Sequence, residues 1–167
     1  MILPNHFNKR GALIDAKESD DVNPERASAG TQFCFVQGKK HTDAELDEKE
    51  VRINQIRRNW LYYKFLDQLK KEDPALAADS LETELTNRAL VMVEDTLADL
   101  GPYVIPAEHR EVYKTVGGVP HLDSSVTIFG EVVDGFDIVE KMSLVKTDKN
   151  DRPIRDVMIK STKVFQK

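Results

Sequence analysis

A single cysteine in 167 residues, Cys34, excludes an intramolecular disulfide framework and leaves no thiolate cluster for a metal. No segment approaches the roughly 20 apolar residues that a membrane-spanning helix needs. Positive charge is short as well: 24 lysines and arginines against 29 acidic residues leave a formal net charge of −5. Neutralising phosphates takes an excess of Lys and Arg on one face, so general nucleic-acid binding is not expected, and acidic residues surround the local cluster of Arg52, Arg57 and Arg58. The opening Met1-Ile2-Leu3-Pro4-Asn5-His6-Phe7 has no charged region followed by a long apolar run. No export signal is therefore read, and the compartment is left open: the cytoplasm is the default, and an N-terminal part missing from this sequence is the alternative carrier of an export signal. Internal repeats and low-complexity stretches are missing too.

What is present falls into three segments, 1–41, 42–116 and 117–167, which together read as an α+β fold. In the first, Gly11-Ala12-Leu13-Ile14 reads as a buried strand and Gln32-Phe33-Cys34-Phe35-Val36 as a strand bounded by loops, separated by the breaker chemistry of Asp20-Asp21-Val22-Asn23-Pro24. At Thr42 the period changes. Thr42 and Glu45 stand at capping-box spacing, and Leu46, Ile53, Ile56, Trp60, Tyr63 and Leu69 form one apolar stripe that Glu72-Asp73-Pro74 should end. A second helix is predicted over 80–100, with Leu81, Leu85, Leu90, Val93 and Leu97 as its stripe and Gly101-Pro102 as its stop. Pro106 should open a third, short helix running to about Tyr113. Beyond Gly117-Gly118-Val119-Pro120 the chain returns to β character, with strands predicted at 126–129 and 157–160 around a short helix at 136–142.

Two blocks carry a resemblance. The first runs from Phe7 to Phe35 and includes Gly30-Thr31-Gln32-Phe33-Cys34-Phe35. The second contains Gly117-Gly118-Val119-Pro120-His121-Leu122-Asp123, Phe129-Gly130-Glu131-Val132-Val133-Asp134-Gly135-Phe136 and Asp151-Arg152-Pro153. In order and spacing they resemble the C-terminal half of a cyclophilin, a peptidyl-prolyl cis-trans isomerase, and the helical block between them is similar to an elaboration found in a bacterial branch of that family. The resemblance implies part of an antiparallel β-barrel, incomplete in this sequence and interrupted by a helical insertion. It implies proline-containing peptides or unfolded chains as substrates and no cofactor. The family's Phe-His-Arg and Phe-Met-x-Gln-Gly-Gly-Asp segments, which supply the catalytic arginine and much of the proline pocket, have no counterpart here. No catalytic residue is therefore assigned, and the chain alone is expected to be weak or inactive.

The family's substrate-binding positions carry over one by one. Gln32 matches the glutamine that hydrogen-bonds the substrate backbone, while Ala16 and Lys17 match an edge that usually reads Ala-Asn. Phe33 matches the first aromatic of the strand, and Cys34 stands where a second aromatic floors the pocket. Leu122 matches an apolar wall, His121 replaces a common aromatic, and Val126 replaces a common histidine or tyrosine. An incomplete barrel should leave strand edges that a homo-oligomer or strand exchange would cover.

Blander readings apply to the same residues. Cys34 is expected to be a buried small apolar side chain, whereas Gln32 is the best functional candidate, with a structural hydrogen bond as its blander reading. His121 could equally be a solvated loop residue. Trp60, Tyr62, Tyr63 and Phe65 carry more aromatic surface than a lone helix can bury, so they should pack on the second helix or on an outside partner. The second functional reading is a non-catalytic proline-peptide-binding or chaperone-like module whose helical insertion engages a partner protein.

Overall fold

Thr42 sets the entry to the longest element. The computed structural model describes residues 6–77 and 81–165, and in it helix α1 (Asp43–Glu72) begins with a complete capping box. The Glu45 amide donates to Thr42 Oγ1 at 3.2 Å, and the Thr42 amide donates to Glu45 Oε2 at 2.8 Å. Lys39 Nζ lies 2.5 Å from the same carboxylate. The Lys39 ammonium and the Thr42 amide together hold Glu45 at a pKa of about 2. Replacing Thr42 with Ala should cost about 1 kcal/mol of stability, read as a lower urea midpoint with an unchanged slope.

The remaining helices end where their sequences dictate. Asp73 terminates α1 ahead of a short 3-10 turn, Pro74–Ala77. Helix α2 (Glu82–Leu100) stops at Gly101, whose φ of +67° a side chain would resist. Ser80, the expected start of this helix, lies outside the described residues. Helix α3 (Ala107–Thr115) follows Pro106. Helices α1 and α2 pack together, and their buried residues are Leu46, Ile53 and Leu61 on one and Leu85, Ala89 and Val93 on the other. The predicted stripes are shifted in part: Leu61 and Ala89 are buried, whereas Tyr63 and Leu90 are exposed.

The three strands form one antiparallel sheet in the order β2-β1-β3, made of β1 (Ala12–Asp15), β2 (Phe33–Phe35) and β3 (Ile128–Glu131). Central β1 pairs Ile14 with Cys34 on one side and with Ile128 on the other. Strand β3 begins two residues later than predicted. Both flanking strands present an outer edge with no partner among the described residues. Beneath the sheet, Ala12, Ile14 and Val36 form a small core against Val119, Leu122, Val126 and Ile128. A second core joins Phe7, Leu46, Ile53, Ile105 and Tyr113.

Two compact units divide after Glu131. The second contains helix α4 (Phe136–Ser143), opened by Gly135 at φ +76° and braced by Lys141 on Asp137 at 2.8 Å. A turn follows in which the Ile154 amide donates to the Lys146 carbonyl at 2.9 Å. The strand predicted at 157–160 does not form. Those residues have no assigned regular structure, and Met158 and Ile159 are 74% and 72% exposed. A β-rich sequence needs a neighbouring strand to satisfy its backbone, and none pairs with it among the described residues.

Candidate functional site

Strand register decides which carried-over residues share a face. Residues directly opposite across a pair point to the same side, and side chains alternate along each strand. Ile14 opposite Cys34 therefore puts Cys34 on the face of the Ala12, Ile14 and Val36 core, and Gln32, two residues away, projects to that side as well. Ala16 follows in register, its amide 3.4 Å from the Gln32 carbonyl. Leu122 and Val126 pack against this same core. One face thus gathers Ala16, Gln32, Cys34, Leu122 and Val126. Phe33 goes to the other face, where its ring meets Phe35 edge-on at 5.6 Å.

One expectation is corrected, and one blander reading is not met. Cys34 is exposed rather than buried, and Gln32 is exposed with no side-chain hydrogen bond among the described residues. The cause is common to both: β2 is an edge strand, and nothing described covers it.

Lys17 is committed elsewhere. Its Nζ lies 2.8 Å from Asp20 Oδ1, and Arg26 grips the same carboxylate through Nε at 2.9 Å and a terminal nitrogen at 2.8 Å. Burial raises the Asp20 pKa, but the hydrogen bonds from Arg26 and Lys17 outweigh it and leave the carboxyl below its ordinary value. Arg26 also donates to the Ser124 carbonyl at 2.9 Å and lies 4.5 Å from the centre of the Trp60 ring. Lys64 approaches that ring at 5.0 Å, and the indole nitrogen donates to the Pro24 carbonyl at 2.8 Å. Trp60 therefore docks on the loop before β2, not on α2 as its place in the apolar stripe suggested. This cation-π clasp fixes the segment that leads into Gln32.

The sequence reading missed a buried polar centre at Asp123. Both carboxylate oxygens accept from the Tyr113 hydroxyl, at 2.8 and 2.9 Å, and Oδ1 accepts from the Asn8 side chain at 2.8 Å and the Asn8 amide at 3.1 Å. Tyr103 adds a longer contact of 3.4 Å. Burial pushes the carboxyl above its ordinary range although these donors pull it down. Desolvation followed by the neighbouring carboxylate raises both phenols, so they remain donors. The network holds the chain that carries His121 and Leu122 against the segment at Phe7 and Asn8. A cavity of about 930 Å³ opens beside it, lined by Phe7, Tyr103, His109, Asp123, Val126 and Phe129 among others. Of the carried-over residues only Val126 reaches this cavity, so it is not the predicted pocket.

His121 lies in the 3-10 turn Pro120–Leu122, half-buried against α1. Burial first, and then the charges of Arg52, Lys49 and His41, depress its pKa below the ordinary histidine value. Among the described residues no group of three or more His, Cys, Asp or Glu is arranged to hold a metal, and no helix is long and apolar enough to cross a membrane.

The family described as "Cyclophilin type peptidyl-prolyl cis-trans isomerase/CLD" matches residues 110–164. The chain carries a cyclophilin-type segment. Among its relatives, peptidyl-prolyl cis-trans isomerase CYP71 of Arabidopsis thaliana is 42% identical over 64 residues, covering 38% of this chain and 10% of that protein. Peptidyl-prolyl cis-trans isomerase-like 1 of Emericella nidulans is 41% identical over 71 residues, covering 42% of each chain. Arabidopsis CYP18-2 is 36% identical over 70 residues, 42% of this chain and 41% of its own length. The chain thus spans from a tenth to about two fifths of these isomerases. The three come from a plant and a fungus, and they do not single out the bacterial branch of the cyclophilins. No solved structure matches.

Proposed function

We propose that this chain is the C-terminal portion of a cyclophilin-type prolyl isomerase, with residues 42–116 as a helical insertion in an incomplete barrel. It supplies one wall of a pocket for proline-containing or unfolded chains. The observation that carries this reading is the one-sided site. Leu122 and Val126 are packed on the sheet, yet Gln32 and Cys34 on the same face stand exposed.

Catalysis of this kind needs no nucleophile. The peptide bond before proline must twist through a barrier of about 18–20 kcal/mol. A site lowers it by holding the proline ring in an apolar pocket, fixing the flanking carbonyl and aiming a cation at the proline nitrogen. Gln32 and Ala16 suit the second task, and Leu122 and Val126 the first. No cation is assigned the third: Lys17 and Arg26 are both bound to Asp20. The purified chain should therefore leave proline isomerisation in a test peptide at its uncatalysed pace, about 10–100 s at 25 °C. Fast turnover would sink the assignment of the catalytic cation to a segment outside this sequence.

The open outer edges of β2 and β3 favour completion by another chain or another copy over a stable free sheet. The second reading, a binding module that works through its helices, draws on Val51, Leu100 and Val104, which are exposed on or beside the α1 and α2 pair. Trp60 no longer serves that reading, since its ring is clasped by Arg26 and Lys64.

A further inference from the structure

Helix α1 sorts its charges around its buried stripe. Asp43, Asp47 and Glu50, at i, i+4 and i+7, face α3 and pair with Arg110, while Asp43 also takes Lys114. Glu45 is held by Lys39 and Thr42. On the far side of Leu46 and Ile53 stand Lys49 and Arg52, one turn apart. Neither makes an ion pair among the described residues, whereas Arg58 has Glu94 and Lys71 has Asp67 on the same helix. Glu48 is the acid beside them and is exposed, with no ion pair of its own among the described residues.

Helix α1 packs on the turn Pro120–Leu122, and the charges of Lys49 and Arg52 act on His121 in that turn. His41 is fastened to the same place, its Nε2 lying 3.1 Å from the Gly118 carbonyl oxygen. The charged groups acting on His121 are thus all basic: Arg52, Lys49 and His41. Grouping unpaired cations around one half-buried imidazole costs free energy unless an anion joins them. Leu122, the neighbour of His121 in the turn, packs on the core beneath the proposed proline pocket. A chain with proline in that pocket advances at most about 3.6 Å per residue, so a side chain one or two positions from the proline reaches the turn.

We propose that Lys49, Arg52 and His121 form a subsite for the carboxylate of an acidic residue next to the proline, so that the chain prefers acidic proline-containing segments. The inference rests on the reading of this face as a proline-peptide site. It goes beyond that reading by naming a specificity that the sheet residues do not provide.

The test is fluorescence anisotropy of the full chain with labelled hexapeptides. One set carries Glu within two residues of Pro, a second carries Gln at the same place, and a third keeps Glu and replaces Pro with Ala. The Glu-Pro peptides should bind about fivefold more tightly than their Gln-Pro counterparts, the gain expected of a pair of partly exposed ion pairs. That ratio should fall towards one in the double variant Lys49→Gln and Arg52→Gln. It should fall likewise in the unaltered chain near 1 M salt, where the screening length is about 3 Å. Equal binding of Glu and Gln peptides overturns the subsite while leaving the proline site standing, as does a ratio that survives the double variant. Binding of Glu-Ala as tight as Glu-Pro overturns the link to proline, and failure of every proline peptide to bind removes both readings together.

Discussion

Replacing Asp123 with Ala should destabilise the protein by about 3–5 kcal/mol, the largest effect expected of any polar side chain here. The carboxylate accepts from Tyr113, from the Asn8 side chain and from the Asn8 amide, and all of these lie in the interior. Removing the acceptor strands several buried donors at once, each at a cost of about 1–3 kcal/mol. Tyr113→Phe deletes one donor and should lose less, about 1–2 kcal/mol. Urea unfolding of both variants would check the order. If Asp123→Ala lost no more than Tyr113→Phe, the network would not be holding the turn.

The same residue gives a pH signature. Burial raises the Asp123 pKa above its ordinary value of 3.8, so folding favours protonation of this carboxyl relative to the unfolded chain. A group raised in this way contributes stability that is complete below the unfolded value and is lost as pH climbs through the folded value. Asp20, Asp43, Glu45 and Glu94 are shifted downward and act in the opposite sense, so total stability would obscure the effect. The difference between the unaltered chain and Asp123→Asn isolates it. That difference should move against the unaltered chain as pH rises from about 3.8 into the weakly acidic range.

Gly118→Ala should be comparably severe, about 3 kcal/mol or more. Gly118 bridges Lys9 on one side and Lys39 on the other, and its amide donates to the Lys39 carbonyl at 3.0 Å. An added Cβ would run into the Asn8 carbonyl oxygen, come within 2.6 Å of Tyr113 Cε1 and lie 2.9 Å from Lys9 Cα. Two of those three obstacles are backbone and cannot rotate away. Gly130→Ala is the control, because its Cβ would meet only Leu13 at ordinary distances of 3.7 and 3.9 Å. It should stay within about 0.5 kcal/mol. Equal midpoints for the two variants would refute the crowding argument.

The helices were legible because their signals are local. Thr42 with Glu45, Pro74, Gly101 and Pro106 each act on their own turn of chain, and each fixed a boundary to within one or two residues. What escaped the sequence depends on partners far along the chain or absent from it. Asp123, in a Gly- and Pro-rich loop, looks like a solvated acid, and its burial comes from Asn8, 115 residues away. Trp60 belongs to an apolar stripe, yet its partners Pro24 and Arg26 lie in a loop that no periodicity connects to α1. The predicted strand at 157–160 and the predicted burial of Cys34 failed for one reason: each supposed a neighbouring strand on a side that the described residues leave open.

The bridge between Lys39 and Gly118 has a meaning beyond stability. Every residue of α1, α2 and α3 falls between those two positions, so the helical block begins and ends at one hydrogen-bonded bridge. To the strands on either side, the intervening residues are one long detour whose ends already touch. A piece of chain whose ends already touch can lengthen or shorten without moving those ends, provided that Trp60 and Tyr113, which tie it to the loop before β2 and to the residue after the turn at His121, keep their partners.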